Sequence, residues 1–442
     1  MAATDKAATA DLASQLVAEY FSVRGNDLVV GGRTVQSLAE EFGTPLYIYD
    51  ATVMRRCFAQ LKAALTGFAD IYFSIKANPN PAVAALFVQH GAGIEIASAG
   101  EYERARQAGA KPQNILFAGP GKRDDELDHV IRNGIGEIHL ECFEEIERLE
   151  TIAARHSKTV AVAIRVNPVA SAQGGAMRMG GKPSPFGFDE EQIGDVLSIL
   201  AGKTHLDLAG LHLFAGTQIL EAETLLTQWK HGLDLSARIA AQISRPFRSI
   251  DLGGGLGIPY YAGDRTLDLQ AIRQGLAPLM AMKAASPLLR DARIIVEPGR
   301  YLAGPGGLYV ARVVASKVSR GSRFVVTDGG MHHHLAASGN LGQVMKRDYP
   351  VVAPARIAEP RLETCSIVGP ICTPLDTLAR KVALPKLQAG DLIAVLQSGA
   401  YGLSASPVNF LAHPAPAEVL VDDGQVSVIR KRETFAHNIS AR

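Results

Sequence analysis

Cysteine is scarce. Cys57, Cys142, Cys365 and Cys372 form no CxxC pair, which excludes a disulfide framework and points to a reducing, cytoplasmic compartment. An excess of one charge is missing too: the formal net charge is +1 at pH 7, so neither nucleic acid nor an anionic membrane is indicated as a partner. No apolar run approaches the length that crosses a bilayer. Residues 1–15 carry Asp5 and Asp11 and lack the apolar core of a secretory signal. Internal repeats and low-complexity segments are absent. What remains is an ordinary globular composition, 47% hydrophobic and 20% charged over 442 residues, enough for a barrel plus a smaller domain.

Helical spacing of Leu12, Leu16, Val17, Tyr20 and Phe21 predicts a short amphipathic helix, followed by strands at 28–30 and 45–50 around a short helix at 37–42. A rhythm then begins. Apolar strand-like runs at 71–76, 93–97, 114–118, 137–140, 160–166, 208–214, 249–252 and 294–296 alternate with helical segments such as 81–90, 99–108, 124–133, 143–156 and 221–243. Eight such alternations predict an α/β fold, a (β/α)8 TIM-type barrel. After Arg300 the runs at 308–314, 323–327, 361–368, 391–397, 417–421 and 425–429 are separated by Gly and Pro turns without long helices. They predict a C-terminal β domain, sandwich-like or barrel-like. The expected division is 1–47 as an N-terminal segment joining the β domain, 48–303 as the barrel, and 304–442 as the β domain.

Barrel active sites form at the C-terminal ends of the strands. Those ends carry Lys76, Glu95, Gly119, Glu141, Arg165, Asn167, His212, Gly253, Gly254, Gly255 and Glu297. Lys76 ends the apolar stretch Tyr72-Phe73-Ser74-Ile75 and is expected to be poorly solvated, which lowers a lysine's pKa and frees its amine to attack a carbonyl. The bland alternative is a lysine that snorkels into solvent. The glycines after Asp251 and Leu252 can admit a phosphate, but Ile258 and Pro259 follow where a dinucleotide-binding helix would begin. The stretch 175–182 imitates a nucleotide-binding loop and fails on spacing and on Pro183. His332-His333-His334 cannot easily aim three imidazoles at one ion, so no metal is expected, and pocket-wall or hydrogen-bonding roles are favoured. The long connection 167–188 is of a length that is usually functional.

Jointly, Tyr72-Phe73-Ser74-Ile75-Lys76-Ala77-Asn78, the glycine turn, Glu297-Pro298-Gly299-Arg300, the segment 369–376 and Gly399-Ala400-Tyr401 resemble the fold-type III pyridoxal-phosphate decarboxylases, which include the diaminopimelate and ornithine decarboxylases. The resemblance covers nearly the whole chain and implies pyridoxal 5′-phosphate as cofactor. Lys76 would hold it covalently. Gly253, Gly254, Gly255, Thr217, Gly299 and Arg300 would hold its phosphate, Glu297 would face the pyridine nitrogen, and Arg165 the phenolic oxygen. Glu95, His212 and Phe214 belong to the same cofactor-lining set, and Tyr401 would border it. Cys372 matches the proton donor, reaching the site from the partner subunit of a homodimer with shared active sites.

Departures from the family pattern concern the substrate. Phe214 stands where the diaminopimelate and ornithine enzymes stack a histidine, and Thr373 follows Cys372 where they place an acid for a distal ammonium. Residues 330–335 replace their Arg-Pro segment. The segments 327–334, 372–376 and 398–407 look like those of the decarboxylase acting on carrier-bound glutamate in butirosin biosynthesis and of exosortase-associated pyridoxal-dependent decarboxylases. The expected reaction is α-decarboxylation of an amino acid that is acylated or tethered to an acyl carrier protein. Arg178, Lys182, His333, Thr373 and Asp376 are the candidate substrate contacts. The alternative is a decarboxylase of free diaminopimelate or another diamino acid. A racemase on the same barrel and a non-catalytic cofactor-binding or carrier-docking protein stay open beside it.

Overall fold

The computed structural model describes residues 11–168, 177–178, 183–214, 216–343 and 346–435, with 177–178 described as backbone only. The chain divides into two compact units. One comprises Arg55–Ile258 and Thr266–Leu302; the other runs up to Met54, takes in Pro259–Arg265 and resumes at Ala303.

The first unit is the expected barrel. Its strands are β1 (Asp70–Ser74), β2 (Gly93–Ile96), β3 (Ile115–Phe117), β4 (Glu137–Leu140), β5 (Val160–Asn167), β6 (Leu206–Leu213), β7 (Ser249–Asp251) and β8 (Arg293–Val296). All pair in parallel with their sequence neighbours, and β8 closes on β1 through Ile295↔Asp70 and Val296↔Ile71. Covered on both faces, these strands are apolar runs without alternation. Helices cover them with ordinary start signals: Asn80 caps Pro81–Val88, whose proline sits in the first turn, and Ser98 caps Ala99–Gln107. The 21-residue helix Ala222–Gln242 buries Leu225, Trp229, Leu233, Ser236 and Ala240 at helical spacing. At Gly210 the register of β6 shifts, and a Cβ there would lie 1.6 Å from the Ser249 carbonyl; only glycine lets the two strands meet. The short strand Phe188–Asp189, which the sequence pattern does not announce, returns the long connection to β5 through Phe188↔Val166.

The second unit is a sheet-rich domain. Strand Leu46–Asp50 lies between Gly307–Ser319, which it pairs antiparallel, and Ala417–Asp422, which it pairs in parallel. The expected boundary after residue 47 therefore cuts a strand whose five residues are all buried in this sheet; hydrogen bonding keeps it whole. Gly307–Ser319 continues to Ser322–Thr327, which pairs in parallel with Glu363–Val368, and that strand pairs with Thr377–Leu384. The last of these is too polar in sequence to stand out. Helix Leu12–Tyr20, capped by Asp11, buries Leu16 and Val17 in one core with Leu28, Val30, Leu308, Val310, Leu392 and Val419.

Candidate active site

Lys76 does not end a strand. β1 stops at Ser74, and Lys76 sits in the 3₁₀ turn Ile75–Ala77 with 46% of its side chain exposed. The expectation of burial is corrected: the turn lifts the residue out of the apolar interior. Its partner is Glu95 on β2, 1% exposed, whose two carboxylate oxygens each stand 3.0 Å from Nζ. Ser74 Oγ donates to the same carboxylate at 2.5 Å. Gly299 lies against this turn, for a Cβ on it would be 2.8 Å from that of Ala77 and 3.0 Å from the Ser74 carbonyl.

Arg165 on β5 donates through Nη1 to Glu141 Oε1 at 2.6 Å, and Glu141 also accepts the Gly119 N–H at 2.6 Å and the Gly187 N–H at 3.3 Å. Burial raises the Glu141 carboxyl, but Arg165 and Lys122 outweigh it and hold the group below its usual range. Glu141 thereby orients Arg165, a role its strand-end position could have signalled.

Glu297 follows β8 and is 5% exposed. His212 on β6 places Nε2 3.5 Å from Glu297 Oε2, an ion-pair distance outside good hydrogen-bond geometry. His139 on β4 packs on His212 with ring centroids 4.3 Å apart, and its Nε2 is 3.2 Å from Glu137 Oε1 and 3.9 Å from Asp251 Oδ2. Among the described residues, Glu297 Oε1, Asp251 Oδ2, His139 Nδ1 and both His212 nitrogens have no hydrogen-bond partner. Burial, then the neighbouring Glu297, pushes the Asp251 carboxyl well above its usual range. Glu297, although burial raises it, is drawn well below by His212, Lys76 and His139. Burial also presses His212 down to about 4, so the two partners make opposite demands on His212. We assign His212 the neutral form, because it is 2% exposed and neither ring nitrogen is hydrogen-bonded. Two adjacent buried carboxyls then share one negative charge, and it resides on Glu297, the one that faces the positive field of Lys76.

Ligand-type atoms of His139, His212, Asp251 and Glu297 all lie within 4.8 Å of one another, a set of metal-ligand chemistry among the described residues. The elimination of metal from the histidine run does not extend to this cluster. Four strands distant in sequence assemble it, and only Glu297 and His212 stand among the candidates read from the sequence.

Beyond β7, Gly253 and Gly255 adopt φ of +70° and +96°. A Cβ on Gly253 would lie 2.4 Å from the Leu213 carbonyl, and one on Gly254 2.5 Å from that of Glu297. Gln218 grips the end of this turn, donating to the Ile258 carbonyl at 2.5 Å, while the Ile219 N–H reaches Gly255 O at 2.9 Å. Thr217 lies on a two-residue strand paired with Met177–Arg178. Phe214 borders Gly253, its Cδ2 3.2 Å from that glycine's hypothetical Cβ, and Arg300 opens the short helix Arg300–Ala303. The Arg178 side chain and all of Lys182 lie outside the described residues.

In the other unit, Cys372 is exposed in the loop between Glu363–Val368 and Thr377–Leu384, with half-buried Thr373 beside it. Tyr401 holds a φ of +52°, a conformation that is strained for a bulky residue. His333 and Asp376, candidate substrate contacts in the sequence, are both buried and bonded within the protein. His333 is 1% exposed, its Nε2 lies 3.1 Å from the Pro414 carbonyl, and its own carbonyl accepts from Tyr47 at 2.7 Å. Asp376, 2% exposed, spends its carboxylate on backbone N–H groups.

The histidine run is thus core. His332 stacks on His333 and His413 at 3.8 and 4.7 Å, and His334 meets Ser398 Oγ at 3.0 Å. Burial lowers His332 to about 4, His333 to about 2 and His334 to about 3, with His413 and His332 adding to the first two shifts. Histidines lowered in the folded state favour folding fully above the unfolded value of about 6.5 and lose that contribution as pH falls toward the folded values. At pH 5 each should cost roughly 2 kcal/mol relative to pH 7. Urea unfolding followed at pH 7 and pH 5 should show that loss, and His334→Phe should reduce it.

Residues 51–304 match the family model described as pyridoxal-dependent decarboxylase, pyridoxal binding domain. The chain belongs to the pyridoxal-dependent decarboxylase family. The L-glutamyl-[BtrI acyl-carrier protein] decarboxylase of Niallia circulans is 40% identical, covering 90% of this chain and 94% of that protein. The diaminopimelate decarboxylase of Aquifex aeolicus (strain VF5) is 32% identical, covering 94% and 96%. A crystal structure of diaminopimelate decarboxylase from M. jannaschii in complex with L-lysine superposes with a TM-score of 0.88 at 24% identity, covering 96% and 98%, which supports the fold. This decarboxylase is a lyase acting on amino acids, and its cofactor is pyridoxal 5′-phosphate.

The barrel rim fits that cofactor. Glu297 Oε1 is a buried carboxylate oxygen without a hydrogen-bond partner among the described residues. Beside it, the Gly253–Gly255 turn brings main chain where no side chain could stand. Lys76 supplies an accessible amine next to Glu95. No helix among the described residues is long and apolar enough to cross a membrane.

Proposed function

We propose that this decarboxylase removes the α-carboxylate of a glutamyl-type amino acid whose side chain is acylated or tethered to an acyl carrier protein. The observation that carries this reading is the 40% identity, over 90% of the chain, to a decarboxylase named for a carrier-bound glutamyl substrate. Thr373, beside Cys372, agrees with it, because a neutral hydroxyl offers no charge to a distal ammonium.

When bound, pyridoxal phosphate supplies an electron sink for the pair left behind as CO2 departs. Lys76 would hold the cofactor through its amine. Glu297, anionic and buried, would keep a proton on the pyridine nitrogen. Gly253, Gly254, Gly255, Gly299, Thr217 and Arg300 would hold the phosphate, and Arg165, oriented by Glu141, would face the phenolic oxygen. Glu95, His212 and Phe214 would line the cofactor pocket, and the family resemblance assigns Tyr401 to the cofactor's border. The Cys372 thiol returns a proton to the α-carbon from the partner subunit of a homodimer. The four cysteines form no disulfide among the described residues, which supports a cytoplasmic setting.

The test is a panel of free and carrier-tethered amino acids, with mass-spectrometric detection of CO2 loss. Turnover of a carrier-bound glutamyl thioester, with free amino acids at least about 10²-fold poorer in kcat/KM, is the expected result. Efficient turnover of free diaminopimelate, ornithine or lysine would replace it with the second reading, which the 32% identity to diaminopimelate decarboxylases favours.

A further inference from the structure

The loop that bears Cys372 is exposed at Cys372, Pro374 and Leu375, yet it closes on a carboxylate that is 2% exposed. Asp376 Oδ1 accepts the N–H of Met331 at 2.6 Å, and Oδ2 accepts that of Ile371 at 3.0 Å. Its backbone closes the same loop: the Gly369 N–H donates to Asp376 O at 3.1 Å, the Asp376 N–H to Thr373 O at 3.1 Å, and the Thr373 N–H to Ile371 O at 2.8 Å. Gly330 and Gly369 press on the carboxylate so closely that a Cβ on either would stand 2.1 or 2.2 Å from its oxygens. The Gly330 carbonyl in turn accepts the N–H groups of His333 and His334 at 3.0 Å each, anchoring that segment in the histidine core.

We propose that Asp376 is the positioning residue that aims the Cys372 thiol, by tying the Gly369–Asp376 loop to the rigid Gly330–His334 segment. The physical reason is geometric. Cys372 follows Ile371, whose N–H is fixed on one carboxylate oxygen, while the other oxygen is fixed on a segment that is itself buried. An exposed loop would otherwise leave the thiol free to wander, and a misplacement of about 1 Å can cost about 10²-fold in rate. The inference rests on the proposed role of Cys372 as proton donor.

The decisive experiment is a double-mutant cycle in the holoenzyme with Asp376→Asn and Cys372→Ala. Asparagine keeps the shape but turns one acceptor into a donor facing an N–H, so one of the two ties must break. The expected result is a fall in kcat of about 10- to 100-fold for Asp376→Asn, with KM within about threefold. The double variant should be no slower than Cys372→Ala alone, because Asp376 acts through the thiol. If Cys372→Ala leaves kcat unchanged, the role of Cys372 falls first. If Cys372→Ala is impaired but Asp376→Asn is not, or if the two losses multiply, the positioning role is overturned. Hydrogen exchange of the wild-type protein keeps the test open should Asp376→Asn not fold. Met331 and Ile371 amides protected together support the tie, and exchange at the rate of an open loop refutes it.

Discussion

Lys76→Ala should abolish covalent retention of the cofactor and lower kcat at least about 10³-fold, since loss of one positioned proton-transfer group alone costs 10²–10⁴. The Lys76 amine stands 3.0 Å from both oxygens of Glu95, on the exposed side chain of an otherwise buried turn. An ion pair with a carboxylate that is 1% exposed, rather than burial of the lysine, holds this amine in place. Lys76→Arg should not rescue, because a guanidinium does not deprotonate and cannot serve as a nucleophile. Borohydride reduction followed by intact mass measurement checks the result. A cofactor still covalently attached in Lys76→Ala would place the anchor elsewhere.

Glu297→Gln should bind the cofactor with similar affinity and lose about 10²–10³-fold in kcat, the size expected when a preorganised charge is removed from a dry site. Glutamine preserves the volume of a side chain that is 5% exposed, so the fold should survive. What disappears is the charge that the Asp251–Glu297 pair places on Glu297. Against the push of burial, the positive field of Lys76 draws the Glu297 carboxyl below its ordinary range, and the ionised form is the one expected at working pH. The acid limb of the activity profile should therefore not belong to it. A cofactor analogue with carbon in place of the pyridine nitrogen sharpens the comparison. It should slow the wild type by a similar factor and add little to the loss in Glu297→Gln. Additive losses would show that Glu297 acts elsewhere.

Lys76, the glycine turn and Glu297 were legible from sequence because each lies within a few residues of a strand end, where contiguous residues report position directly. Glu141 was visible as a strand end but not as the anchor of Arg165, because the two are 24 positions apart and meet only across β4 and β5. Glu137, His139 and Asp251 stayed hidden. A strand buried on both faces has no alternation that would mark which polar residue points inward.

At His333, Asp376 and Lys76 the tertiary surroundings differ from what the local pattern suggests. Polar residues in turn-rich stretches were read as substrate contacts, and a lysine after an apolar run was read as buried. The chain instead buried His333 and Asp376 against backbone groups and lifted Lys76 into a 3₁₀ turn. Periodicity, turn residues and contiguous motifs are local properties, and they suffice for the alternation of strand and helix and for the family resemblance that implies the cofactor. Burial and charge are set by residues brought together from distant strands. That is why only the tertiary structure shows Glu95 paired with Lys76, Asp251 buried beside Glu297, and the Asp376 carboxylate engaged by backbone N–H groups.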